Sequence, residues 1–341
     1  MIKNKLIKIS LSILALSLIF AFSGCDNKEP EMTESTTEST TTTSPTVNVT
    51  APPITESTIQ LTTQHSDTSI EYVENKVKVW AKQDVNIREK PTTDSKKLGV
   101  LHEGNGISRI AKGSDGWSKV IFDGKEAYIS TSYLTEKEPS RVVSSDRILV
   151  NTDTDLWYLV IVDTQREIPS DYVPKLAEVA SSGKYMDARV APYYNDMYAA
   201  AKKDGITLTP YSGYRSYARQ LRNYNNLTDT YMSQYKLSRE EAAKKAATVI
   251  LPPGTSEHNL GLAMDICNTN STFSTQKEYK WLTEHAHEYG FILRYTAEKQ
   301  DITGIIPEPW HWRYVGVEHA TKIKDSGLCL EEYLEREGIA Y

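Results

Sequence analysis

From Asp26 to Ser69 the chain is poor in large apolar side chains, and Thr33 to Thr63 is dominated by threonine and serine, with Pro45, Pro52 and Pro53. Such a stretch buries too little apolar surface to offset the entropy of ordering it. It reads as a flexible tether over residues 25–70, and a merely solubilising spacer would look the same. Folded structure must therefore be built from about Tyr72 onward. In a chain of 341 residues that leaves room for two folded units. With a formal net charge of −6 nothing suggests a nucleic-acid partner, which would want a basic face.

The residues ahead of the tether read as a targeting segment. Lys3, Lys5 and Lys8 precede an apolar run from Ile9 to Phe22, and Ser23-Gly24-Cys25 follows. Small residues before a cysteine resemble a bacterial lipobox, with one departure at Phe22, where leucine is commoner. The resemblance implies a signal peptide over residues 1–24 and lipid attachment at Cys25. It also implies a lipid-anchored protein on the extracellular face of the bacterial cell membrane. The alternative is an uncleaved span, for which the run is short against the ~20 residues a membrane helix needs. Either way the rest of the chain lies outside the cytoplasm. Cys267 and Cys329 remain. Two cysteines do not make a disulfide framework, and both read as buried and unpaired.

From Tyr72 to Leu134 short apolar runs alternate with polar residues. They include Val77 to Val79, Val85 to Arg88, Leu98 to Leu101, Gly106 to Ala111, Trp117 to Phe122 and Ala127 to Ile129. Pro91 and the Asp123-Gly124 pair punctuate them. Period-two runs broken by such turns predict a small all-β barrel over residues 71–137. The segment resembles bacterial SH3-like domains in Asn86-Ile87-Arg88 before Pro91, in Gly116-Trp117, and in Tyr128-Ile129-Ser130 with Tyr133-Leu134. That resemblance implies a cell-wall partner, and a structural spacer is the other reading.

Beyond Val142 the texture is α+β. Ala191 to Lys203 carries Tyr194, Met197, Tyr198 and Ala201 at helical spacing, with Gly205 just past the end. Ser238 and Glu241 form a capping box that opens a helix to Thr248, stopped by Pro252-Pro253. Thr275 and Glu278 suggest a second box opening a helix to Tyr289, ended by Gly290. Strands are expected over Ile206 to Tyr211, Ala263 to Cys267, Phe291 to Tyr295 and Trp310 to Val315.

Three segments carry chemistry: Ser256 to Asp265, Glu308-Pro309-Trp310-His311, and Ser212-Gly213-Tyr214-Arg215-Ser216 with Gln220. A hydrolytic zinc needs three protein ligands and an open position. His258, Asp265 and His311 could supply them. Gly261 would let the chain turn between the first two. Glu308, three residues before His311, is a carboxylate that could accept a proton from water. Spacing by itself does not separate this from ordinary packed or surface histidines. The remaining histidines read as structural: His285 and His287 stand two apart on one helix and face apart.

Together the three segments resemble the D-alanyl-D-alanine carboxypeptidase family of bacterial zinc peptidases, the VanY-like group. The patterns are Ser-x-His-x-x-Gly-x-Ala-x-Asp and Glu-x-x-His, both complete here and in the family order. Tyr289 to Tyr295 and Trp310 to Gly316 also look like the family. The resemblance implies an α+β zinc peptidase domain, over residues 145–337, with the barrel as a separate unit. It implies one zinc on His258, Asp265 and His311, Glu308 as general base and proton donor, and Arg215 as oxyanion stabiliser. Gln220, Ser256 and Tyr295 match substrate-groove positions. The implied reaction removes D-alanine from peptidoglycan stem peptides, as a D,D- or an L,D-carboxypeptidase.

Overall fold

A computed structural model describes residues 70–139 and 146–341. The signal peptide, Cys25 and the tether lie outside the described residues. No helix among the described residues is long and apolar enough to cross a membrane.

The first unit is all-β. Its strands are β1 (Tyr72–Ala81), β2 (Val85–Arg88), β3 (Lys97–Leu101), β4 (Gly106–Gly113), β5 (Trp117–Phe122), β6 (Lys125–Ser130) and β7 (Leu134–Thr135). Among the described residues they form one seven-stranded sheet, ordered β3-β2-β6-β5-β4-β1-β7, with antiparallel pairing throughout. The alternation read from the sequence becomes the barrel's two faces. Val79, Ile87, Val120, Ala127 and Ile129 point inward and are almost wholly buried.

The second unit opens with two short strands, β8 (Ile148–Leu149) and β9 (Arg166–Glu167), which pair in parallel. The hairpin β10 (Leu176–Val179) and β11 (Lys184–Asp187) follows, then α1 (Ala191–Lys203), β12 (Pro210–Ser212), α2 (Tyr217–Tyr235) and α3 (Arg239–Ala246). The remainder is α4 (Glu257–Leu260), β13 (Ala263–Ile266), α5 (Lys277–His285), β14 (Phe291–Leu293), α6 (Gln300–Thr303), β15 (His311–Tyr314), α7 (Val317–Ser326) and α8 (Leu330–Glu337). Among the described residues β12-β13-β15-β14 form a four-stranded antiparallel sheet. Helix α1 lays Tyr194, Met197 and Ala201 into the core beside Met264, Phe291 and Trp312. This is the α+β fold expected, with a barrel that has its own core.

The expected elements differ from the observed ones in three places. The capping box at Ser238 and Glu241 forms. The one at Thr275 does not: a short 3-10 turn over Ser271–Thr275 takes that residue, whose hydroxyl donates to the Thr272 carbonyl. Gln276 becomes the N-cap of α5, and the expected helix ends at His285, followed by a 3-10 turn to Tyr289. The expected strand from Ile206 shortens to Pro210–Ser212. Helix α2, 19 residues long, was not anticipated. Leu227 is its buried apolar residue, so it lacks the stripe that marks a core-facing helix. The side chain of Ser216 caps it, accepting from the Arg219 amide at 3.3 Å. Cys329 is buried, Cys267 is half-buried, and both are free.

Candidate active site

The inner strands of the four-stranded sheet bring two of the site residues face to face. Asp265 on β13 pairs with His311 on β15, and Ser212 of β12 pairs with Asp265 from the other side. His258 comes from α4, a single helical turn that Gly261 closes with a φ of 73°. A Cβ at Gly261 would sit 2.8 Å from the amide nitrogen of Asp187. The turn that brings His258 over β13 therefore requires glycine.

Ligand atoms of His258, Asp265 and His311, all buried, lie within 4.8 Å of one another. Hydrogen bonding decides which nitrogens face the centre. Nδ1 of His258 is 2.9 Å from the Gly213 carbonyl, which can only accept, so Nδ1 carries the proton and Nε2 keeps its lone pair. That Nε2 faces Oδ1 of Asp265 at 3.4 Å. His311 is turned the other way. Its Nε2 lies 3.0 Å from Oε2 of Glu257, and its Nδ1 faces Oδ1 of Asp265 at 3.3 Å. Oδ1 of Asp265 is buried without a hydrogen-bond donor of acceptable geometry among the described residues. Two oriented imidazoles around an unsatisfied carboxylate oxygen are the donor set of a divalent cation and suit zinc.

Electrostatics agree with that reading. Burial lowers His258 below the usual imidazole range and keeps it neutral. Burial also opposes the charge on Asp265, but His258 and His311 outweigh it and hold the carboxyl well below the usual carboxylate range. Burial likewise opposes a charge on His311. The carboxylates of Asp265 and Glu257 beside it prevail and lift it to about 9. The pocket therefore favours positive charge at this point. Glu308 is buried too, with Oε2 3.6 Å from Nδ1 of His311. Burial pushes its carboxyl up to about 8, against the pull of His311 and with help from Asp265. Its backbone is pinned at both ends: its amide donates to the Tyr295 carbonyl, and its carbonyl accepts from the His311 amide, each at 3.0 Å.

Arg215 stands half-buried on the segment entering α2. One guanidinium nitrogen donates to Gln220 Oε1 at 2.9 Å and the other to Ser212 Oγ at 3.2 Å. Burial works against its charge, while Asp265 and Glu308 favour it. A guanidinium stays protonated under such pressure. Gln220 is buried and engaged at both ends of its amide, since Nε2 also donates to the Leu251 carbonyl at 2.5 Å. It holds Arg215 through Oε1. Ser256 is buried at the N-cap of α4 and makes no side-chain cap bond. The Tyr295 ring packs 4.9 Å from the His311 ring.

Sequence reasoning passed over Glu257. It is fully buried and takes Arg294 Nε at 2.8 Å and Arg313 Nη1 at 2.6 Å as well as His311. Arg294 grips Glu331 of α8 in turn, at 2.9 and 2.6 Å. Burial opposes the Glu257 charge, but the two guanidinium groups hold the carboxyl well below its usual range. Glu257 thus orients His311 as a carboxylate orients a metal-binding histidine. The available signal was a carboxylate next to His258 in the weakly charged stretch from Gly254 to Met264.

Two histidines and a carboxylate around a buried centre, with a second carboxylate and an arginine at its side, define a metallohydrolase. Comparison with known proteins sharpens this. The D-alanyl-D-alanine carboxypeptidase family matches residues 183–317, and the bacterial SH3 domain matches residues 83–135. A D-alanyl-D-alanine carboxypeptidase of Enterococcus faecalis strain V583 is 43% identical over 189 residues, 54% of this chain and 68% of that protein. The chain belongs to the D-alanyl-D-alanine carboxypeptidase family. The solved structure of VanYB in complex with D-alanine-D-alanine is 41% identical, at 52% coverage of this chain, 98% of that one and a TM-score of 0.47. The solved LdcB LD-carboxypeptidase is 37% identical, at 51% and 84% coverage and a TM-score of 0.44.

Proposed function

We propose that this chain is a zinc carboxypeptidase that hydrolyses the amide before a terminal D-alanine in peptidoglycan stem peptides. The observation that carries this is the convergence of His258, Asp265 and His311 with Glu308 at their edge. His258 through Nε2, His311 through Nδ1 and Asp265 through a carboxylate oxygen would hold one zinc. When bound, zinc supplies a Lewis acid and makes water easier to deprotonate. The charge of a bound zinc would favour the Glu308 carboxylate, which would then take the proton of the attacking water and later return it to the leaving amine nitrogen. Arg215 donates to the oxygen that becomes negative as the carbonyl turns tetrahedral. Gln220 and Ser212 keep its guanidinium in place. Ser256 and Tyr295 border the substrate end of the site.

Both D,D- and L,D-specific enzymes are among the relatives, so the stem is defined by experiment. The purified protein should release free D-alanine from a pentapeptide stem, a tetrapeptide stem, or both. Glu308→Gln should keep zinc and lose about 10²–10⁴-fold in kcat, with KM changing less. Zinc analysis and D-alanine release, measured together, check this. Full activity in Glu308→Gln refutes the mechanism, and joint loss of zinc makes Glu308 a ligand.

The setting of the enzyme is proposed from the sequence. A lipid on Cys25 would tether it to the outer face of the membrane, with residues 25–70 as the reach and the barrel as a wall contact. Normal processing and membrane retention of Cys25→Ser would remove that reading.

A further inference from the structure

Among the residues where the barrel meets the peptidase unit, Tyr214 stands beside the candidate site. Tyr214 lies between Gly213, whose carbonyl orients His258, and Arg215. Its ring is buried, and two residues of the loop between β3 and β4 meet it. Asn105 Nδ2 donates to the Tyr214 hydroxyl at 3.3 Å. The His102 ring meets the Tyr214 ring edge-on at 5.3 Å and the Tyr185 ring at 5.2 Å. Tyr185 in turn accepts the Tyr214 amide on its carbonyl at 2.6 Å.

The loop is itself held firmly. Nδ1 of His102 and the Glu103 amide both bond the Asp84 carboxylate, at 3.2 and 2.9 Å. Glu103 pairs with Arg222 of α2. Gly104, with a φ of 75°, comes so close to α2 that a Cβ would stand 2.3 Å from Cβ of Ala218. Only a glycine lets the two backbones approach that far.

We propose that the barrel is a positioning element of the active site: Asn105 and His102 clamp Tyr214, and so fix Arg215 for the oxyanion. This rests on the proposed role of Arg215. Both neighbours of Tyr214 in the chain are also tied into the site. The Arg215 amide donates to the His258 carbonyl at 3.0 Å, and its carbonyl accepts from Asn259 Nδ2 at 2.6 Å. A shift of Tyr214 therefore moves the guanidinium, and small displacements of an oriented group are costly in catalysis. Asn105, His102 and Tyr214 do not touch the reacting atoms.

The test uses the zinc-loaded full chain and a short soluble acyl-D-alanyl-D-alanine peptide, which needs no wall binding. Asn105→Ala and Tyr214→Phe each remove the clamp's hydrogen bond and should lower kcat about fivefold, with KM nearly unchanged. The double variant should lose no more than either single one. Amide exchange at Tyr214 and Arg215 should accelerate by a similar factor in Asn105→Ala while the peptidase core keeps its protection. Unchanged kcat and unchanged exchange in folded single variants overturn the clamp, and so does an additive double variant. If the wild type releases no D-alanine, the functional reading falls, and the exchange measurement still decides whether the barrel holds this segment.

Discussion

The barrel and the peptidase unit bury different things. The barrel core is a cluster of aliphatic side chains, with Val79, Val120, Ala127 and Ile129 at 0% exposure. The centre of the peptidase unit also buries charge: Glu257 and Arg313 at 0%, with Arg294, Asp265 and His311 almost as deep. Aliphatic burial stabilises without fixing any one group in space. A buried ion network adds little net stability over an apolar core, yet removing one member strands the others. The peptidase unit accepts that risk because its site needs side chains held at set angles. Glu257 and the Gly213 carbonyl do this for the two histidines.

The contrast can be broken most sharply at Glu257. Glu257→Gln leaves Arg294 and Arg313 facing a neutral amide in the interior. Unfolding free energy should fall by about 3–5 kcal/mol. Zinc should bind about 10- to 100-fold more weakly, because His311 loses its orienting carboxylate. Denaturant unfolding and competitive zinc titration measure the two effects. Near-wild-type values in both would make the network passive.

In the barrel the comparable experiment is Ile129→Ala. Its cost should be about 2–5 kcal/mol of stability, from lost transfer energy and the cavity left behind. Zinc affinity should stay at the wild-type value, since Ile129 lies within the barrel's own core. A weakened zinc site here would mean that the two cores are not independent. At the small end, Lys322→Ala removes an exposed pair with Glu318 one turn away on α7. Thermal unfolding should barely register the change, because solvent screens an exposed pair. A larger loss would show that α7, which helps cover the core around Leu330 and Leu334, depends on its surface charge.

Legibility followed the kind of burial. The barrel strands were readable because alternation maps one-to-one onto inside and outside. Helix α1 was readable because four apolar residues recur at helical spacing, and α3 because its capping box is a four-residue signal. Helix α2 was not, since its polar face and single buried leucine leave no period to detect. The Thr275 box failed because two overlapping local signals competed for one threonine, and the 3-10 turn prevailed. Within the site, His258, Asp265, His311 and Glu308 were legible through the family motifs they complete, since their spacing alone does not single them out. Glu257 did not, because nothing local distinguishes a buried carboxylate from an exposed one.

The order of residues along the chain was enough to separate the barrel from the peptidase unit, and to name a candidate ligand set and a candidate base. Those follow from composition, period and motif, which are properties of short stretches. Only the tertiary structure decided which imidazole nitrogen of each histidine faces Asp265. It alone gave Gln220 to Arg215 and surrounded Glu257 with two guanidinium groups. It also set a barrel loop against the tyrosine beside Arg215. Each of these joins residues far apart in the chain, as with Asn105 and Tyr214, 109 positions apart. Such partners are chosen by packing and by the need to satisfy buried polar groups, and neither is written in any one segment.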